Sequence, residues 1–480
     1  MSDDIKRRAL SGLFWALLQN WSAKGLSFVL FLILARLLTP TELGVAAAIN
    51  VVIALVSLIA EQGFSDAIVQ RRDLKDDDIN LPFFSSLGMA SVLALSVAML
   101  SSQIERWMNV PGLAPLLVVA TASLPLTAMS MFQEAIYRRQ LLFKQVAVRM
   151  LTTATIAGAV AVACAYVGMG SWSLVVQAIV MNALNVLWLW YRPLWRPSRR
   201  INTRAYGEIV RFSGNVLVSR VLDVVGTRSI EVLIAALHGA AALGLYAVGA
   251  RVFQTMMQLL TTAVANVSLG ALSRFAHDIQ RLQRAFIKTV IASAAVGMPV
   301  FVAGSAVSHE LALFLFGSKW AAAGDVMGVL LLLGALQCIQ FVNGPTFSAL
   351  GRPRYLAWMA TIKAVAAIAA ISLVPTDDIL ELTIVFALSQ AITTPLTYAL
   401  LARCLQLSIM SIVRELLPFT VAAAAAYSSV YFSRELIESE PTPLVIALTL
   451  LLLLYGAVYC LLAMLLGRRQ IELVWAIFRK

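Results

Sequence analysis

The chain has 480 residues, 60% of them hydrophobic and 13% charged, with a formal net charge of +12. Ordinary soluble domains carry about 25% charged residues, and no single core could hide this apolar load, so a soluble enzyme or binding module is excluded. Apolar runs long enough to cross a bilayer as helices recur from end to end, which predicts an all-α integral membrane protein.

The start, MSDDIKRRALSGLFWALLQ, has a basic flank and no small-residue cleavage site. Its apolar stretch is therefore expected to stay as a helix rather than leave as a signal peptide. Reading between polar punctuation predicts fourteen spans: 13–35, 43–63, 81–103, 115–135, 146–168, 172–192, 209–237, 242–270, 286–308, 326–347, 355–375, 379–402, 412–432 and 444–466. With an inside N-terminus, the cytoplasmic connections and tails hold 28 Lys and Arg, and the outer loops hold only Arg36, Arg106, Lys319 and Arg434. This is the positive-inside pattern for an even number of helices with both termini cytoplasmic. The net charge thus reads as topology and attraction to anionic phospholipids, not as nucleic-acid binding.

Between the first two spans the chain reads 34-LARLLTPTELGVAAA-48. Thr39 suits an N-cap, Pro40 the first helical position, and Glu42 the closing acid of a capping box, which predicts a sharp outer turn. The stretch 234-IAALHGAAALGLYAV-248 echoes it, with Leu37, Leu43, Gly44 and Ala47 recurring as Leu237, Leu243, Gly244 and Ala247. A second echo pairs 135-AIYRRQ-140 with 349-ALGRPR-354. Both echoes match equivalent spans of two six-helix lobes running the same way, a parallel pseudo-twofold repeat with two extra C-terminal helices. The expected divisions are an N-lobe over 1–204, a C-lobe over 205–405, and a C-terminal pair with its tail over 406–480.

Five basic residues fall inside spans: Lys24, Arg220, Arg228, Arg251 and Lys363. Each would cost roughly 2.5–3.5 kcal/mol at a lipid-facing helix centre, so a polar interior is implied. Helical spacing aligns Asn20 and Lys24 on the first span and Asn50, Ser57 and Glu61 on the second. It also aligns Arg220, Asp223, Thr227 and Glu231 on the seventh, and Arg251, Gln254, Gln258 and Thr262 on the eighth. Bland readings stand beside these. Arg220 and Asp223 can neutralise each other three residues apart, Arg228 can snorkel to the outer interface, and amides often only join helix to helix. Lys24 and Lys363 have no close partner in sequence and read as cavity cations. Glu61 and Glu134 lie near cytoplasmic helix ends and read as interface residues.

Catalytic alternatives find little support. Neither a phosphate-cradling GxxxxGK[ST] nor a GxGxxG is present. His238, His277 and His309 lack metal spacing. Cys164, Cys338, Cys404 and Cys460 sit in apolar runs and read as small core residues. No cofactor, metal or catalytic residue is expected. The longest outer loop, around 309–325, is apolar and partly helix-like.

The stretches 31-FLILARLLTPTELGVAA-47, 63-GFSDAIVQRRDL-74, 136-IYRRQLLFKQVA-147, 242-ALGLYAV-248 and 345-PTFSALGRPR-354 resemble the polysaccharide transporter family. Those are the Wzx-type O-antigen and exopolysaccharide flippases, within the superfamily that includes multidrug extruders and the lipid II flippase. The resemblance covers nearly the whole chain. It implies two six-helix lobes working by alternating access in the bacterial inner membrane. The implied cargo is a polyprenyl-diphosphate-linked oligosaccharide, moved from the cytoplasmic to the periplasmic leaflet. Relatives use basic residues on the first and eighth helices, a role carried here to Lys24 and Arg251. With them Arg220, Lys363, Asn20, Asn50, Gln254 and Gln258 form the expected substrate cavity. Asp223 and Glu231 are the expected carriers of a coupling H+ or Na+, Glu231 alone if Arg220 holds Asp223. A polysaccharide polymerase and a chain-length regulator are implied partners. A cation-coupled multidrug or small-solute exporter is the alternative, disfavoured by a mostly cationic interior. A non-transport subunit of a synthesis complex would leave the buried charges unexplained.

Overall fold

The computed structural model of the chain describes residues 24–71, 74–200, 202–274, 278–352, 354–438, 443–470 and 472. Helix dominates, and no strand occurs among the described residues. The chain divides into two compact units, Met1–Gly244 and Leu245–Lys480. In the first, α1 covers residues 24–37. It is followed by α2 (Pro40–Glu61), α3 (Phe64–Gln70), α4 (Asp76–Met108) and α5 (Leu113–Ala120). Next come α6 (Ser123–Arg139), α7 (Phe143–Tyr166), α8 (Trp172–Tyr191) and α9 (Thr203–Arg274), the last running on into the second unit. The second unit continues with α10 (Ile279–Ala306), α11 (Ser308–Phe316), α12 (Ala321–Gln337) and α13 (Asn343–Ala349). It ends with α14 (Arg354–Leu373), α15 (Ile379–Leu405), α16 (Ile409–Glu438) and α17 (Leu444–Leu466).

Among the described residues, 12 helical stretches are long and apolar enough to cross a membrane. In order they coincide with the second to sixth and eighth to fourteenth expected spans. The first part of the expected first span, 13–23, lies outside the described residues and its remainder falls in α1, and the side chains of the seventh are described only in part. The chain is a multi-pass, all-α membrane protein. The expected outer loop at 309–325 is itself helical, built from α11, a 3-10 turn at Ser318–Trp320 and the start of α12.

The turn into α2 takes the form its sequence dictates. The Glu42 amide donates to Thr39 Oγ1 at 3.3 Å, and the Thr39 amide donates to Glu42 Oε2 at 2.8 Å. Both arms of the capping box are therefore made, with Pro40 at the start of the helix. The echo at 237–244 is built differently. There α9 breaks at Gly239, whose φ of 77° is open to glycine and strained for other residues. Five residues after Thr39 and after Gly239 come Gly44 and Gly244, and these touch. A Cβ on Gly44 would strike the Ala240 carbonyl, and one on Gly244 would strike the Pro40 carbonyl. The contact is reciprocal: the same two imagined carbons lie 3.0 Å from Gly244 N and 3.1 Å from Gly44 N. Small residues four apart on each helix permit this backbone approach.

The first unit packs Phe64, Ile68, Phe83, Phe132 and Trp195 together at one end. Phe83 meets Phe132 and Trp195 edge-on, each at 5.5 Å. Trp195 belongs to the connection between α8 and α9, which follows a fixed path. The Leu194 amide donates to Gln133 Oε1 and the Ser198 amide to Asn80 Oδ1. Gln133 Nε2 donates to the Trp195 carbonyl, and Asn80 Nδ2 to the Arg200 carbonyl. Trp195 Nε1 donates to the Asp76 carbonyl at 3.0 Å. Gln133 and Asn80 are 0% and 1% exposed, so these main-chain bonds form away from water and hold firmly.

Candidate functional site

Lys363 lies mid-way along α14, nine residues after its start at Arg354. A charge at that depth persists only with polar company, and the second unit supplies it. Lys363 Nζ donates to Gln340 Oε1 at 2.5 Å. Gln340 in turn donates to Thr394 Oγ1 at 3.0 Å, and Gln390 donates to the Lys363 carbonyl at 3.1 Å. Around them is a cavity of about 330 Å³ that also takes in Gln337, Asn343, Phe341, Phe347 and Met257. Its size falls within the range of about 300–1,000 Å³ usual for small-molecule sites, and it mixes apolar walls with a few convergent polar groups.

The backbone explains the cluster. The tenth span is not a continuous α-helix: α12 stops at Gln337, a 3-10 stretch covers Cys338–Val342, and α13 begins at Asn343. A 3-10 helix has about three residues per turn, so Gln337, Gln340 and Asn343 fall on one face. Three amides spaced by three inside an apolar run were a legible signal, and the expected cavity omitted all of them. Such an interruption inside a membrane span is tolerated where it lines a cavity.

The other expected residues divide clearly. Arg220 pairs within the first unit, with Nη2 2.7 Å from Asp66 and Nη1 3.9 Å from Glu61. Its partners are thus carboxylates at the α2–α3 corner; the side chain of Asp223 lies outside the described residues. Glu61, read as an interface residue, shares this cluster. Glu231 receives both its hydrogen bonds from Arg228 at 2.9 Å, so Arg228 is an ion-pair partner one turn away. Glu134 lies between Arg138, 2.6 Å away, and Arg149, 2.7 Å away. Arg251 is half-buried on α9, and its carbonyl accepts from Thr255 Oγ1. Gln254 and Gln258 are exposed, as is Asn50 on α2. Lys24 is half-buried in α1, and Asn20 lies outside the described residues. Among the described residues, Lys363 alone of the expected cavity set lines the 330 Å³ cavity, although Met257, between Gln254 and Gln258, reaches it.

Among the described residues no group of three His, Cys, Asp or Glu could hold a metal ion. What the Lys363 pocket can do chemically is offer one cation and several amides to a ligand with anionic and hydroxyl groups.

Comparison with known proteins gives this arrangement a context. The succinoglycan biosynthesis transport protein ExoT of Rhizobium meliloti (strain 1021) is 26% identical over 360 residues, which cover 75% of this chain and 72% of ExoT. The lipopolysaccharide biosynthesis protein WzxC of Escherichia coli (strain K12) is 24% identical over 343 residues, covering 70% of this chain and 68% of WzxC. Among solved structures, the lipid II flippase MurJ in an inward closed conformation superposes with a TM-score of 0.75. The match covers 95% of this chain and 99% of MurJ at 12% identity, so it speaks to fold. The model of the family described as polysaccharide biosynthesis protein matches residues 33–325. The chain belongs to the polysaccharide biosynthesis protein family.

Proposed function

We propose that the protein flips polyprenyl-diphosphate-linked oligosaccharide repeat units from the cytoplasmic to the periplasmic leaflet of a bacterial inner membrane, by alternating access. The observation that carries the reading is Lys363, a cation deep in a membrane-spanning helix, held by Gln340 in a pocket of amides. A diphosphate leaving water needs countercharge, and a glycan needs hydrogen-bonding groups. Lys24, Arg220 and Arg251 add further cations for the passage of the diphosphate. The transport and biosynthesis roles in the names of ExoT and WzxC support the same cargo class. Coupling to H+ or Na+ would run through Asp223 or Glu231, and loading Glu231 would require Arg228 to let go.

The test is translocation of a labelled polyprenyl-diphosphate glycan in inverted vesicles carrying the full-length protein. The expected result is protein-dependent translocation that falls at least about tenfold with Lys363→Ala, equivalent to about 1.4 kcal/mol. Absence of translocation by the wild-type protein, or undiminished rates in Lys363→Ala and in the Lys24→Ala, Arg251→Ala double variant, would sink the proposal.

A further inference from the structure

A second cavity of the Leu245–Lys480 unit is used by nothing above. It measures about 210 Å³ and takes in Ser305, Ser308, His309, Asp325, Tyr427, Tyr431 and Arg434. These residues come from the last turn of α10 and the start of α11, from α12 and from α16. The charge pattern of the sequence assigns this end of the unit to the outside: Arg434 is one of the four basic residues of the outer loops.

One wall is rigid and neutral. Arg434 Nη2 donates to Glu310 Oε2 at 2.8 Å and to the Ala306 carbonyl, and Nε lies 2.8 Å from the other oxygen of this carboxylate, which is only 8% exposed. A buried ion pair with two hydrogen bonds from Nη2 holds the guanidinium in place. Ser305 Oγ is likewise committed, donating to the Gly328 carbonyl at 2.9 Å. The other wall is uncommitted. The Asp325 side chain is 54% exposed, and its Oδ1 lies 3.9 Å from His309 Nδ1, beyond hydrogen-bond range. Neither the Tyr427 nor the Tyr431 hydroxyl makes a hydrogen bond among the described residues.

The chemistry discriminates among ligands. With Arg434 and Glu310 cancelling, Asp325 leaves the cavity acidic, which repels a phosphate or diphosphate. The metal-ligand set is too small, since no group of three candidate ligands occurs among the described residues. The volume is below the range of drug-sized sites. What remains is a carboxylate able to accept from two neighbouring hydroxyls, flanked by an imidazole and by tyrosine rings whose faces suit C–H groups.

We propose that this cavity is an outer subsite for one neutral sugar ring of the emerging glycan, held by Asp325 and His309 and stacked on Tyr431. The inference rests on the flippase reading, and it adds a place where the glycan is held after passage, apart from the Lys363 pocket.

The test uses the full-length protein in nanodiscs. The probe is the neutral oligosaccharide repeat unit released by mild acid from the source cell's own lipid-linked glycan, without lipid or diphosphate. Saturation-transfer NMR is expected to show contact to one ring of the probe. Asp325→Asn and Tyr431→Ala should each weaken binding at least about tenfold, and Tyr431→Phe should keep it within about twofold, showing that the ring rather than the fold is read. Inorganic pyrophosphate should not compete. No contact to the probe, unchanged binding in Asp325→Asn and Tyr431→Ala, or displacement by spermidine in place of sugars, would overturn the subsite. Translocation of the intact lipid-linked unit, measured on the same preparation, reports separately on the flippase reading.

Discussion

Gly44 and Gly244 meet backbone to backbone, each at the position where a side chain would collide with a main-chain carbonyl opposite. The sequence echo that pairs these residues is therefore also a physical contact within the first unit. Backbone cannot rotate away as a side chain can, so Gly44→Val and Gly244→Val should each destabilise the protein by about 3 kcal/mol or more, the upper end for overpacking. Gly88 in α4 has nothing within 4 Å of an added Cβ. Gly88→Ala should be neutral or stabilising by up to about 1 kcal/mol, as expected for a helix interior. Thermal unfolding of the three variants in detergent checks the contrast.

At Lys363, stability and transport should part company. Gln340→Leu removes the acceptor of a charged hydrogen bond and should cost about 1.5–3 kcal/mol. Lys363→Met removes the charge itself, so its unfolding midpoint should match or exceed that of the wild type, while vesicle translocation falls at least about tenfold. Loss of both properties together in Lys363→Met would assign the lysine to structure alone.

Glu134 holds two arginines of very different burial. The Arg149 side chain is 4% exposed and that of Arg138 49%. Replacing Glu134 with Gln leaves a buried guanidinium uncompensated, and a loss of about 3–5 kcal/mol is expected. Arg138→Gln breaks an exposed pair one turn along the same helix and should cost no more than about 0.5 kcal/mol. Equal melting shifts for the two would contradict the geometry.

Arg220 and Asp66 pair across 154 residues of sequence at 2.7 Å, with 43% and 29% of their side chains exposed. Solvent weakens such a bridge, so the coupling energy from a double-mutant cycle should be about 1 kcal/mol or less. The swap of Arg220→Asp with Asp66→Arg should recover most of the stability lost by either change alone, provided Glu61 is also replaced by Gln. Denaturant titration of the set gives the coupling directly.

Local features were the most legible from sequence. The capping box at Thr39 and Glu42 needs only residues three apart, and the order of the apolar spans needs only their lengths. The partners of the buried charges were not legible for the same reason in reverse. Arg220 has Asp223 within one turn, which invites a local pair, but the fold brings Asp66 to it. Lys363 looked solitary because its acceptor, Gln340, comes from another helix 23 residues away. The interruption that presents Gln340 is a change of helical pitch, which turns a spacing of three from scattered into aligned. For Glu231 the neighbouring Arg228 was visible, but it was read as able to snorkel to the outer interface, whereas its guanidinium reaches Glu231 one turn away.

The connection at 192–202 is held chiefly through its own amides and carbonyls, by receptors fixed on α4 and α6. Apart from Trp195, Ser198 and Asn202, whose side chains also bond to α4, its route is thus written in Asn80 and Gln133 rather than in its own letters. The exposed Arg192, Arg196 and Arg199 should therefore tolerate exchange for lysine with no change in the trace of the chain, since the path needs their backbone and the topology needs only their charge.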